Sequence, residues 1–224
     1  MSEPLLLLDD VRVSSGSDLR CEHFSLRAEG PRVLLIGDAE AILGPIFRRA
    51  VVESGIFLLQ GQPLSEVAPS AVGLVPLDPP LPLRCTPREA VALGARLLGI
   101  PRGAAEALAS QLCGQVGLGA WATRPLGSLH VAYRRLTLLA LALVSGPAVL
   151  VLEAPLAGLD PQAADYMVQA ILQATAGRGA LISSPPPAPG SADERLASPL
   201  DQRIVLLKDA RGVETSSSSL PERR

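Results

Sequence analysis

Hydrophobic positions along this chain form two kinds of run. The first is short and nearly unbroken: Arg32–Gly37 (RVLLIG), Ala71–Pro76 (AVGLVP), the string AVLVLEAP ending at Pro155, Ala180–Ser183, and Arg203–Lys208 (RIVLLK). Such runs suit strands buried on both faces. Leu5–Val13 and Phe24–Ala28 read as two further strands. The second kind carries leucine and alanine at helical spacing: the segment from Pro87, then Gly103–Val116, Tyr133–Val144 and Pro161–Ala176. Pro45 followed by IFRRAVV predicts a helix just after RVLLIG, because proline fits a first helical turn. The proline-rich DPPLPLRCTP forces a loop, Gly146-Pro147 breaks a helix, Pro185–Pro199 reads as a loop, and the tail from Glu214 reads as disordered. Strands alternating with helices predict an α/β fold: a mostly parallel sheet covered on both faces, with a helical insertion at about residues 77–135.

Composition narrows the picture. With 224 residues, 48% hydrophobic and 19% charged, the chain predicts one domain over residues 1–213 and a tail over 214–224. A net charge of -2 with scattered basic residues excludes an electrostatic nucleic-acid binder. The longest apolar stretch, Leu136–Val144, is far short of the roughly 20 residues that span a bilayer, so no direct membrane insertion is expected. The start, MSEPLLLLDD, lacks the basic residues and cleavage site of a signal peptide. The expected location is the cytoplasm, with a partner as the means of any attachment to the inner face of the cell membrane. Cys21, Cys85 and Cys113 are irregularly spaced and suggest reduced packing cysteines, with no metal site. Lys208 is the single lysine beside nineteen arginines, which excludes chemistry that needs a lysine elsewhere.

Several strings then fall in a telling order. VLVLEAPLAGLDP contains an apolar strand, Glu153, Ala154, and the turn Gly158, Leu159, Asp160, Pro161. LHVAYRRLTLLALAL precedes it, AVGLVPLDPPLPLRCTPREAVALGARLLG lies further upstream with Thr86, Arg88 and Glu89 in place, and LISSPP and DQRIVLLKDARG follow. Together these resemble the nucleotide-binding domain of ABC transporters from Leu5 to about Val213, closest in pattern to export-type members. The resemblance implies a P-loop NTPase-like fold with an N-terminal β layer and a helical insertion subdomain.

It also implies where the family's chemistry would sit, and there the residues depart. A working phosphate loop, GxxGxGK[ST], turns backbone N–H groups onto phosphates and uses a lysine and a hydroxyl on Mg²⁺. Here Gly37 remains, Glu40 and Ile42 occupy glycine positions, Leu43 the lysine and Gly44 the hydroxyl. Ile42 at positive φ would be strained, and Asp38 and Glu40 would repel a triphosphate. A helix start near Pro45 offers only about half a charge in compensation. Leu77 stands at the Q-loop glutamine, and His130, Val131, Ala132 and Tyr133 replace Ser-Gly-Gly-Gln of the signature. Glu153 and Ala154 replace the Walker B Asp and catalytic Glu, Gly158, Leu159 and Asp160 retain the D-loop, and Pro185 replaces the switch histidine. No aromatic lies near Val13 or Ser14 to stack on adenine.

For Glu153 a carboxylate satisfied by local hydrogen bonds is favoured over a Mg²⁺ ligand. For Arg48 and Arg49 a solvated helix face or partner contact is favoured over a reach toward phosphate, and His130 reads as a surface or interface residue. The expectation is a pseudo-ATPase with no catalytic or cofactor-binding residues and no cofactor. ATP and Mg²⁺ would enter only through a non-canonical site or on a partner subunit. Implied partners are a second copy or another ABC-type subunit, paired by protein contacts, and a membrane-spanning permease. Residues 77–95 would either line the groove for its cytoplasmic helix or pack on their own core. A soluble interaction module outside transport and an ATPase with a rebuilt site are the alternatives.

Overall fold

Alternation of buried and exposed residues builds the first layer. In a computed structural model, which describes residues 3–78, 81–209 and 212–219, β1 (Leu6–Ser15) buries Leu6, Leu8, Val11 and Val13. The alternation skips one residue at Asp9-Asp10, where the register with β2 (Asp18–Ala28) shifts and Asp10 takes a φ of 49°. An extra residue in one strand of a pair changes the phase of its faces. Next come β3 (Arg32–Gly37), α1 (Glu40–Ile46), β4 (Val51–Leu59), β5 (Gln62–Pro63) and β6 (Val72–Val75). The insertion carries α2 (Pro87–Leu97) and α3 (Arg102–Gln115), then short 3-10 turns, before α4 (Val131–Ala142). The chain continues through β7 (Val149–Leu152), α5 (Pro161–Thr175), β8 (Gly179–Ser184), α6 (Ala192–Ala197), β9 (Gln202–Asp209) and β10 (Gly212–Ser219).

These make two sheets. One is antiparallel in the order β2-β1-β4-β5; the other runs β10-β9-β3-β8-β7-β6, parallel except for β10. The parallel strands are apolar on both faces because each face meets a different core. Leu34, Ile36, Leu150, Leu152 and Ile182 pack with the helices, whereas Val33, Leu35, Val149, Val151 and Leu181 pack with α1 and the antiparallel sheet. The fold is therefore α/β, with the N-terminal β layer on one side of the parallel sheet. Among the described residues no helix is long and apolar enough to cross a membrane.

Three local expectations need correction. The helix expected from Pro45 through Val52 starts instead at Glu40 and ends at Ile46, with Pro45 in its last turn. Val51–Leu59 is a strand because it closes the open edge of β1, a long-range pairing that overrides local pattern. The Pro185–Pro199 loop contains α6, whose N-cap Ser191 accepts a hydrogen bond from the Glu194 N–H. Residues 214–219, expected to be part of a disordered tail, fall in β10, which pairs with β9 up to Ser219; residues 220–224 lie outside the described residues.

Candidate functional site

Open parallel sheets hold ligands in the crevice beyond the carboxyl ends of their strands, which here are the ends of β3 and β7. Gly37 closes β3 with a φ of 110°, and any Cβ there would run into the Leu206 carbonyl of β9. Only Asp38 and Ala39 separate β3 from α1. The Glu40 N–H donates to Asp38 Oδ1 (3.1 Å), and the Ile42 and Leu43 N–H groups donate to the Ala39 carbonyl at 3.0 and 2.8 Å. Amides that a phosphate loop would turn outward are thus spent inside the first turn of α1. Ile42 is helical and fully buried, so the positive-φ strain expected for it does not arise. Leu43, at the lysine position, is 2% exposed in the core shared with the antiparallel sheet. A side chain at Gly44 would meet Ala50 Cβ at 2.9 Å and Glu40 Oε1 at 3.0 Å. The helix start anticipated near Pro45 lies at Glu40, because the residues from Ala39 onward already satisfy helical bonding.

The space in front of α1 is crossed by Arg49. Past α1, Arg48 takes a φ of 58° and the Arg49 N–H returns to the Gly44 carbonyl (2.8 Å), folding the chain back toward the crevice. The Arg49 guanidinium donates to both oxygens of Glu153, Nη2 to Oε1 at 2.7 Å and Nη1 to Oε2 at 3.2 Å, and Nη2 also reaches Glu40 Oε2 at 3.1 Å. Glu153 Oε2 accepts a further bond from the Leu77 N–H (3.1 Å). The side chains are 41% exposed for Arg49, 29% for Glu40 and 17% for Glu153. The hydrogen bond to Glu153 raises the Arg49 pKa above its ordinary value, against a smaller opposing effect of burial. Arg49 is therefore not a solvated helix face, and Glu40 is not an uncompensated negative charge: the sequence omits the fold-back that brings residue 49 beside residue 153. A forked guanidinium facing a carboxylate is bidentate and charge-assisted. Reading in linear order weighed Arg49 only for a reach toward phosphate, and no local pattern marks its pairing with Glu153.

Around this bridge, Ala154 takes a φ of 39° and donates its N–H to Ser183 Oγ (3.0 Å). The following turn is clasped by buried Arg135, whose Nη1 donates to the carbonyls of Pro155 (3.1 Å) and Ala157 (2.5 Å); burial lowers its pKa. Gly158 has a φ of 68°, Leu159 packs against the helical core, and Asp160 caps α5 by accepting from the Ala163 N–H (3.0 Å). Pro185 is exposed beyond β8, and the Ser184 hydroxyl hydrogen-bonds Asp193 Oδ1 (2.7 Å).

The signature positions lie elsewhere, at the start of α4. His130 is its N-cap, with Nδ1 accepting from the Ala132 N–H (3.4 Å) and Nε2 3.8 Å from Asp160 Oδ2. Half-buried Val131 opens the helix and Ala132 is buried. Tyr133 stacks on Trp121 with centroids 4.6 Å apart, tying α4 to the insertion. His130, Ala132, Tyr133 and Asp160 share a cavity of about 260 Å³ with Gln162 and exposed Tyr166. The structure thus brings the signature and D-loop positions together, and separately joins Glu40 to Glu153 through Arg49, with the Leu77 N–H on Glu153. Among the described residues, no group of three or more His, Cys, Asp or Glu is placed to hold a metal ion.

Comparison with known proteins agrees with this architecture. No family model matches the chain. Nod factor export ATP-binding protein I of Burkholderia pseudomallei is 38% identical over 118 residues, covering 51% of this chain and 39% of that protein. The protein of the same name from Burkholderia orbicola is 34% identical over 146 residues, covering 59% and 48%. Phospholipid-transporting ATPase ABCA7 of Homo sapiens is 35% identical over 100 residues, covering 44% of this chain and 5% of that protein. The match therefore spans less than half the length of these relatives. Among solved structures, cbiO1 from Clostridium perfringens, part of the ABC transporter complex cbiONQ, superposes with a TM-score of 0.75 at 16% identity over 95% of this chain and 87% of that one. The ADP conformation of MJ1267, an ATP-binding cassette of an ABC transporter, gives 0.75 at 16% over 96% and 91%.

Proposed function

Starting from a chain whose relatives in sequence are ABC transporter ATP-binding subunits and whose fold is that of ABC ATPase domains, we propose a catalytically inactive subunit that scaffolds or regulates a membrane transport complex. The observation that carries this reading is the phosphate-loop segment, which has become the first turn of a helix. A magnesium triphosphate does not fit the residues present. The Ile42 and Leu43 amides are bonded to Ala39, the position for a phosphate-binding lysine is a buried leucine, and Glu153 is held by Arg49 where a metal ligand would be needed. Ala154 offers only a methyl group where a carboxylate would orient the attacking water.

The role left is mechanical. The chain associates with the cytoplasmic face of a membrane through a permease subunit, and pairs with a second copy or an active ATPase subunit by protein contacts, without a shared nucleotide. The export function named for its bacterial relatives supports transport as the setting. The test is calorimetric titration of the purified chain with Mg-ATP beside an active ABC ATPase. The expected result is no magnesium-dependent heat and no turnover; micromolar magnesium-dependent binding overturns the reading. Purification from native membranes separates its two halves: a co-purifying permease supports the transport role, and a chain that comes down with no membrane protein favours an interaction module outside transport.

A further inference from the structure

The position of Arg49 does more than fill space. Glu153, at the end of β7, holds two things at once: the Arg49 guanidinium and, through Oε2, the Leu77 backbone N–H. Leu77 is two residues beyond β6, on the stretch that leads into the helical insertion. The far end of that stretch is fastened to the insertion itself, with the Gly127 N–H on the Leu83 carbonyl and the Leu126 N–H on the Cys85 carbonyl, both at 2.8 Å. The connection between core and insertion therefore has a polar anchor at each end, and the core-side anchor is the carboxylate that Arg49 orients. Glu40, on the first turn of α1, shares the same guanidinium nitrogen.

We propose that Arg49 is a resident counter-ion which couples α1 and β7 to the Leu77 segment, so that the start of the connection to the helical insertion is held on the core without a ligand. This rests on the reading above that the crevice takes no nucleotide. The physical argument is one of orientation. A glutamate at a strand end has several rotamers of similar energy, and a forked guanidinium that meets both its oxygens selects one. In the rotamer observed, Oε2 lies 3.1 Å from the Leu77 nitrogen. A lysine at position 49 would supply the charge as a single point without the planar fork, and would fix the carboxylate less well. Arg49 is thus a positioning residue, acting on Leu77 through Glu153.

The experiment is amide hydrogen exchange on the full chain, comparing wild type with Arg49→Ala and Arg49→Lys. A hydrogen bond to a charged acceptor that loses its orientation predicts roughly tenfold or greater acceleration at Leu77 in Arg49→Ala. Acceleration should stay within the Leu77 segment while α2, whose Val91 and Ala95 are buried in the helical core, and β3 and β8 keep their wild-type rates, and Arg49→Lys should fall between. Wild-type rates should not respond to Mg-ATP. Unchanged exchange at Leu77 in Arg49→Ala overturns the coupling, and so does an equal acceleration throughout the sheet, which would mark Arg49 as a general stabiliser only. A wild-type chain whose Leu77 segment responds to Mg-ATP would instead defeat the reading of the crevice, so the two failures are distinct.

Discussion

Restoring the missing lysine provides the sharpest test of the crevice, and the expected result is a damaged protein with no gain of nucleotide binding. In Leu43→Lys the new side chain points into the core between α1 and the antiparallel sheet, where Leu43 is 2% exposed. Removing a fully buried leucine costs about 1.5–3 kcal/mol, of which the lysine stem recovers part. The ammonium must then be buried without a partner or lose its proton. Depressing a lysine pKa by about three units, so that it is neutral near pH 7, costs about 4 kcal/mol. Together these give about 4–6 kcal/mol, which in a domain of this size lowers Tm by roughly 10–20 °C. Thermal unfolding followed by circular dichroism measures the loss, calorimetric titration with Mg-ATP measures binding, and Leu43→Met, a volume-conserving change, should stay within about 1.5 kcal/mol of wild type. A Leu43→Lys chain that melts within about 2 °C of wild type and binds Mg-ATP would refute the reasoning, because α1 would then unwind into a loop at little cost.

Other outcomes follow from single residues. Asp160→Ala removes the N-cap of α5 and should cost about 1 kcal/mol in chemical denaturation, while Asp160→Asn keeps the acceptor and most of the stability. Gly37→Ala forces a methyl group against the Leu206 carbonyl at a φ that favours glycine, and should destabilise the chain by about 1–3 kcal/mol with an unchanged denaturant slope. The hydrogen bond and charge of Asp10 raise the His23 pKa above 6.5, so the pair contributes fully below the unfolded imidazole value and its contribution fades as pH rises through the folded one; an NMR titration should show the midpoint fall in Asp10→Asn. Burial pushes the Cys113 thiol up to about 11, so native-state alkylation at pH 8 should label half-buried Cys85 well before Cys113.

What the chain reveals in linear order is whatever depends on near neighbours. The double-faced strands of RVLLIG and AVLVLEAP follow from residues a few positions apart. So does the absence of a phosphate-loop lysine, a matter of counting. Tertiary structure alone decided that Val51–Leu59 is a strand, since its partner β1 lies at the start of the chain, and that the tail runs as β10. It also decided the contents of the crevice. Arg49 and Glu153 stand 104 positions apart, and His130 meets Asp160 only because α4 and α5 start side by side. An ion pair between distant residues leaves no periodic trace, because its geometry is set by the fold-back after α1 and by the end of β7 and not by either residue's own neighbours. The sequence could therefore tell which residues stand at the positions that the resemblance marks, and only the folded chain could show that Arg49 lies between two of them.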